Sequence, residues 1–170
     1  PSMIHIDKNG STIGSFDAPQ GHGMDVDSSG FIYLGNTVDG QNTVHKYDSR
    51  TGQLVKTVPR APENQPGGNN PEATAAFRAK YPATAPMIVG QIEEVRLDES
   101  ARERYAADSY LGGRVMVFDL DTFAFKRGWG AYGHTLQQMT TDPADRAYTP
   151  GGAMPKEFRG HLTLNFAASD

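Results

Sequence analysis

Two histidines stand at matching places in this chain. His22 lies in QGHGMDVD and His161 in RGHLTLNF; each follows a glycine and opens an alternating, strand-like run. A neutral imidazole can offer a lone pair to a metal or exchange a proton near neutral pH. Two imidazoles at equivalent strand starts could share one metal ion. The plainer reading is two polar residues at strand edges, bonded to water or to neighbouring carbonyls. Both readings stand at the level of sequence. Glu93-Glu94 opens the strand that falls between them in the repeat order. Side chains alternate along a strand, so one of the two carboxylates must face the histidines, either tuning a metal site or staying solvated. His134 follows Gly133 and reads as a loop residue. His5 and His45 lie on other strands and read as structural.

An internal repeat supplies the elements that would position these residues. HGMDVDSSGFIYLGN (22–36) aligns with IEEVRLDESARERYAADS (92–109), each a strand, an acidic turn and a second strand. TVHKYDSRTGQLVKTV (43–58) aligns with RVMVFDLDTFAFKRGWG (114–130), each a strand ending in aromatic-Asp, a tight turn and another strand. Asp48 and Asp119 close those turns. MIHIDKNGSTIGSF (3–16) repeats the second half, and HLTLNFAASD (161–170) repeats the start of the first. Four short strands joined by hairpins at this spacing predict a blade of a β-propeller, with a β-sandwich as the plain alternative. The expected organisation is a half blade (3–16), a blade (22–58), a long insertion (59–90), a blade (91–130), a second insertion (131–160) and the first strand of a next blade (161–170). A closed propeller needs about 4–8 blades, so the remaining blades would be a partner of this chain.

The insertions are rich in Pro, Gly and Asn and long for hairpins. In the first, Asn70-Pro71-Glu72 predicts a helix capped by Asn70 and running to about Tyr81. Insertions on the blade-to-blade connection are expected to carry function or contact a protein partner. Trp129 reads as a packing residue between blades.

Composition excludes several classes. The net charge of −4, without a basic cluster, argues against a nucleic-acid partner. No apolar run approaches the length of a membrane span. The chain has no cysteine, so neither disulfides nor thiolate metal sites are open to it. Its 19 glycines and 11 prolines suit a turn-rich all-β fold.

The ordered set of His22-Gly23, the strand around Asp108-Ser109-Tyr110 and Arg114, Trp129-Gly130 and then His161 resembles NHL-repeat β-propellers. More narrowly it resembles bacterial relatives of peptidyl-α-hydroxyglycine α-amidating lyase. That resemblance implies a six-bladed propeller with zinc held by three histidines, two of them His22 and His161, and the third beyond Asp170. It implies Tyr110 as the catalytic tyrosine, Arg114 as the arginine of the same strand, and the carbonyl of Met24 as a ligand of a structural calcium. Zinc with one open position would polarise a substrate oxygen while tyrosine moves a proton. The reaction implied cleaves a C–N bond to give an amide and glyoxylate, outside the cytoplasm, in the periplasm or secreted. Arg114 could equally pair with a carboxylate such as Asp108. The alternative from another class is a noncatalytic propeller, a scaffold or protein-binding subunit of an extracytoplasmic assembly that works through 59–90 and 131–160. A third is a channel that binds a sugar or other small molecule.

Overall fold

The computed structural model describes residues 2–36, 42–66, 70–140 and 142–167. The protein is all-β with one α-helix, and its strands form three antiparallel sheets. A hairpin pairs β1 (Ser2–Ile6) with β2 (Thr12–Asp17). The first four-stranded meander comprises β3 (Gly21–Val26), β4 (Phe31–Asn36), β5 (Thr43–Asp48) and β6 (Leu54–Thr57). The second comprises β7 (Gln91–Asp98), β8 (Glu103–Ser109), β9 (Arg114–Asp119) and β10 (Phe125–Trp129).

The same device closes the first turn of each hairpin. The carboxylates of Asp7, Asp27, Asp48, Asp98 and Asp119 accept backbone N–H bonds from residues two or three places on, at 2.8–3.1 Å. These Asx turns offer the backbone a local partner that neither helix nor ladder provides. Within each meander the antiparallel order puts both aspartate turns at one end, and the Ser28–Glu99 contacts set those ends of the two meanders together. The long connections and the starts of β3 and β7 lie at the other end.

Strand alternation sorts the core. Tyr33 and Val44 of the first meander face Ile92, Val95, Ala106, Met116 and Phe118 of the second. Ile32, Leu34 and Tyr47 point the opposite way and pack on Met3 and Phe16 of the β1–β2 hairpin. The sheets are therefore layered: hairpin, first meander, second meander. Their turns are also tied across layers, since Ser28 N and Oγ donate to Glu99 at 2.8 and 2.6 Å, and Leu97 N donates to Asp25 at 2.9 Å. Between the meanders lies the unexposed Arg104, its guanidinium 3.4 Å from the Phe123 ring centroid and 5.3 Å from that of Tyr33. Nη2 donates to Asp119 O at 2.8 Å, while Nε and Nη1 have no hydrogen-bond partner among the described residues. The ring faces take that place by cation–π attraction, and burial lowers the guanidinium pKa to about 10.

The helix stands where the sequence predicts it. α1 (Pro71–Lys80) begins after Asn70, whose side chain accepts from Ala73 N at 3.0 Å, and ends at Tyr81, whose N–H reaches Phe77 O. Phe77 seats it on Ala61 and Val89. The segment 161–167 forms no ladder, so a next strand is not made there; residues 168–170 of that expectation lie outside the described residues. A strand needs a neighbour for its backbone groups, and this segment has only side-chain anchors, such as the Phe166 ring 5.0 Å from that of Tyr105. Trp129 packs edge-on to the same Tyr105 ring, at 6.4 Å.

Alkaline stability follows from Tyr33, which is unexposed and donates to Asp27 Oδ2 at 3.1 Å. Burial, and then the Asp27 charge, push its phenol well above the ordinary range. Above about pH 10 the unfolded chain releases a proton that the folded state keeps, so stability is complete below that pH and falls as pH rises. Urea midpoints should drop from about pH 10 upward, and Tyr33→Phe should flatten the drop. Equal slopes in the two proteins would refute the assignment.

Candidate acid–base site

Four side chains from separate parts of the chain meet at the end of the sheets opposite the aspartate turns. The hydroxyl of Tyr110 lies alongside the His161 ring, 3.0 Å from Nε2 and 3.4 Å from Nδ1. Nδ1 itself lies 2.9 Å from Glu93 Oε2. His22 Nδ1 approaches the same carboxylate oxygen at 3.9 Å. The Tyr110 and His161 rings meet edge to face, 5.4 Å between centroids.

Local backbone features create this meeting. The ladders of β3 and β7 slip at the same place, between Gly21 and Met24 and between Ile92 and Val95. His22 and Glu93 each fall inside a bulge, which frees a residue from pairing and re-aims its side chain. The two strands also pass very close. Gly23 has φ +67°, and a Cβ there would lie 2.5 Å from Glu94 Cα; a Cβ on Gly35 would lie 2.4 Å from Ile92 Cγ2. Glycine at both places lets β7 lie against β3 and brings Glu93 beside His22. Glu94 turns away and takes Arg96 Nη1 at 2.7 Å. The alternation read from sequence thus resolves in favour of Glu93.

Tyr110 is held in the left-handed region, at φ 52°. Such a backbone costs about 1–3 kcal/mol and persists only where its surroundings enforce it. Arg146 enforces it here, with Nη1 donating to Tyr110 O and Nη2 to Leu111 O at 2.9 Å. Glu157, whose side chain is unexposed, fixes Arg146 through Oε2 and receives Arg78 through Oε1. The two long insertions are thereby clamped to each other and to the β8–β9 turn. Nothing in the periodicity of the sequence marks Arg78, Arg146 or Glu157; Arg78 lies on the predicted helix and the other two in the second insertion, and only their charge sets them apart.

The electrostatics suit proton transfer. Burial, and then the Glu93 charge, raise the Tyr110 phenol, so it is a hydrogen-bond donor at neutral pH. The tautomer that satisfies both contacts has His161 accepting at Nε2 and donating from Nδ1 to Glu93. Glu93 is 8% exposed at its side chain, whereas His22 and His161 are 55% and 73% exposed. The carboxylate is fixed and the imidazoles are open to a solute.

The other sequence candidates lie elsewhere. Arg114 is fully buried, 2.8 Å from Asp108 through Nε, and its Nη groups bind the carbonyls of Ala83, Ala85 and Met87. It braces the first insertion and does not reach the cluster. Met24 leaves the bulge paired with Leu34, its side chain 45% exposed. His45 bonds Asn36 and Thr57, with burial lowering its pKa, and His134 sits 2.8 Å from Ala131 O. The zinc and calcium expectations find only part of a donor set. His161 engages both ring nitrogens with Tyr110 and Glu93, and among the described residues no group of three or more His, Cys, Asp or Glu is disposed to hold a metal. The four side chains, a phenol, two imidazoles and a carboxylate, are of the types that exchange protons. No helix among the described residues is long and apolar enough to cross a membrane. No family model matches the chain, and no curated protein is significantly similar to it.

The bracing role of Arg114 is testable by stability alone. Removing one partner of a buried, hydrogen-bonded pair strands the other, so Arg114→Met should cost about 3–5 kcal/mol in urea unfolding. The exposed Arg50→Met should cost under about 0.5 kcal/mol. Equal midpoints for the two variants would remove Arg114 from this role.

Proposed function

We propose that this chain is part of a β-propeller enzyme and that Tyr110, His161, Glu93 and His22 carry out lyase-type acid–base chemistry on a small solute at the open end of the sheets. The propeller reading is supported by two four-stranded meanders stacked through their first strands, with bulges at equivalent places. It is supported also by apolar side chains left uncovered on the outer layers, Ile4, Ile6 and Ile13 of the hairpin at 55–59% exposure, which further blades would cover.

The observation that carries the chemistry is the Tyr110–His161–Glu93 chain of contacts at 3.0 and 2.9 Å. Glu93 orients and stabilises the imidazole, and the imidazole accepts the Tyr110 proton as the phenol oxygen takes one from a substrate hydroxyl. For an α-hydroxyglycine amide, the substrate class that the lyase resemblance implies, loss of the hydroxyl proton forms the carbonyl of glyoxylate as the C–N bond breaks. The leaving nitrogen takes a proton from His22 on the exposed side of Glu93. The resemblance would add zinc on His22, His161 and a third histidine, and His161 would first have to release Tyr110 or Glu93. Metal analysis addresses this directly: zinc bound one to one and lost in His22→Ala would establish the metal.

A second reading, the noncatalytic scaffold, is favoured by the exposure of Tyr132 and Tyr148, at 66% each, on the second insertion. One assay separates the two. Purified protein is incubated with a peptide ending in α-hydroxyglycine and glyoxylate is measured. Turnover should fall about 10²–10⁴-fold in Tyr110→Phe and in His161→Ala, and stay unchanged in His5→Ala. Absence of glyoxylate from the unmodified protein, or full turnover by Tyr110→Phe, would refute the lyase reading.

A further inference from the structure

Three arginines from the two insertions surround a cavity that the acid–base cluster does not use. Thr74, Arg78, Arg146, Ala147 and Arg159 line about 300 Å³ of open space. A second hollow of about 380 Å³ shares Arg146 and Arg159 and adds Tyr132 and Tyr148. The charge of the first cavity is not balanced by its own residues. Glu157 answers both Arg78 and Arg146 with its two oxygens, and Arg159 has no carboxylate partner among the described residues. Arg159 is thus the guanidinium of the three that no carboxylate answers among the described residues.

The guanidinium groups are also held in place before any ligand arrives. Arg146 is fixed on Glu157 and on the carbonyls of Tyr110 and Leu111, and Arg78 on Glu157 and on Thr140 O at 3.0 Å. Burial disfavours the charged form of Arg146, the Glu157 carboxylate favours it, and the neighbouring Arg78 charge again disfavours it. An anion in the cavity would relieve that repulsion, and planar guanidinium forks match the oxygens of carboxylates and phosphates. The sharing of Arg146 and Arg159 between the two hollows gives an anionic head a place beside two exposed aromatic rings.

We propose that this cavity is an oxyanion-binding site for a small-molecule carboxylate or phosphate, with Arg159 as the arm that contacts the ligand and Arg146 and Arg78 as its fixed positive wall. The site stands apart from the acid–base reading and does not depend on it. It adjoins that cluster through the chain, since Arg159 precedes His161 by two residues and Arg146 holds the carbonyl of Tyr110.

Titration calorimetry at low salt tests this with two probes, inorganic phosphate and benzoate. At least one should bind saturably, with affinity reduced about ten-fold in Arg159→Ala, a change equal to one lost charge-assisted contact. Binding should be unchanged in Arg50→Ala, a control on the opposite end of the sheets, and in His161→Ala, which separates this site from the acid–base cluster. Tighter phosphate identifies a phosphoryl ligand. Tighter benzoate, weakened by Tyr148→Ala, identifies a carboxylate with an apolar body. Failure of both probes to saturate, or equal losses in Arg159→Ala and Arg50→Ala, overturns the proposal.

Discussion

Asp108 and Arg114 face each other as the last pair of the β8–β9 ladder, both side chains without solvent exposure. A guanidinium and a carboxylate removed from water together are costly unless every donor and acceptor is matched. Here the matching groups come from the first insertion. Asp108 takes the backbone N–H groups of Val89 and Gly90, and Arg114 takes three carbonyls from residues 83–87. The pair therefore fixes the path of an irregular segment that has no ladder of its own. It sets the point at which β7 begins, and so the position of Glu93. It also anchors the strand ends that flank Tyr110. Two of the four residues of the acid–base cluster owe their placement to an ion pair that never touches it.

That dependence explains the uneven behaviour of the sequence as a guide. Features decided within a few residues are legible: the Asn70 cap, the Asp48 and Asp119 turns, the order of strands and the partnership of Arg114 with Asp108 all follow from local chemistry. Glu93 is half legible, because strict alternation says that one of two glutamates must face the histidines, while the bulge that selects it is a tertiary event. Arg78, Arg146 and Glu157 are illegible as a clamp, since each is defined by partners 11 to 79 residues away, although Arg78 itself lies on the predicted helix. The strand expected at 161–170 is a different case, since 161–167 carries no ladder and 168–170 lie outside the described residues. Its pattern is strand-like, but a pattern does not make a strand without a neighbour to receive its backbone hydrogen bonds.

The cluster itself joins a rigid half to an open half. Glu93 and the Tyr110 backbone are held by bulge, ion pair and guanidinium clamp, whereas His22 and His161 present most of their surface to solvent. A proton relay needs such a division: the group that sets orientation must not move, and the groups that exchange protons must be reachable.

The five aspartate turns have a consequence far from the backbone they close. At two of them a cation answers the charge on the spot, Lys46 at Asp27 and Arg50 at Asp48, while Arg78, Arg146 and Arg159 stand in the insertions. Hydrogen bonds hold the carboxyls of Asp48, Asp98 and Asp119 below the usual carboxylate range, so these three stay ionised into mild acid. An approaching anion therefore meets ionised carboxylates at the turns and a positive charge without a carboxylate partner among the described residues at Arg159, a contrast that is sharpest at low ionic strength, where the screening length is greatest.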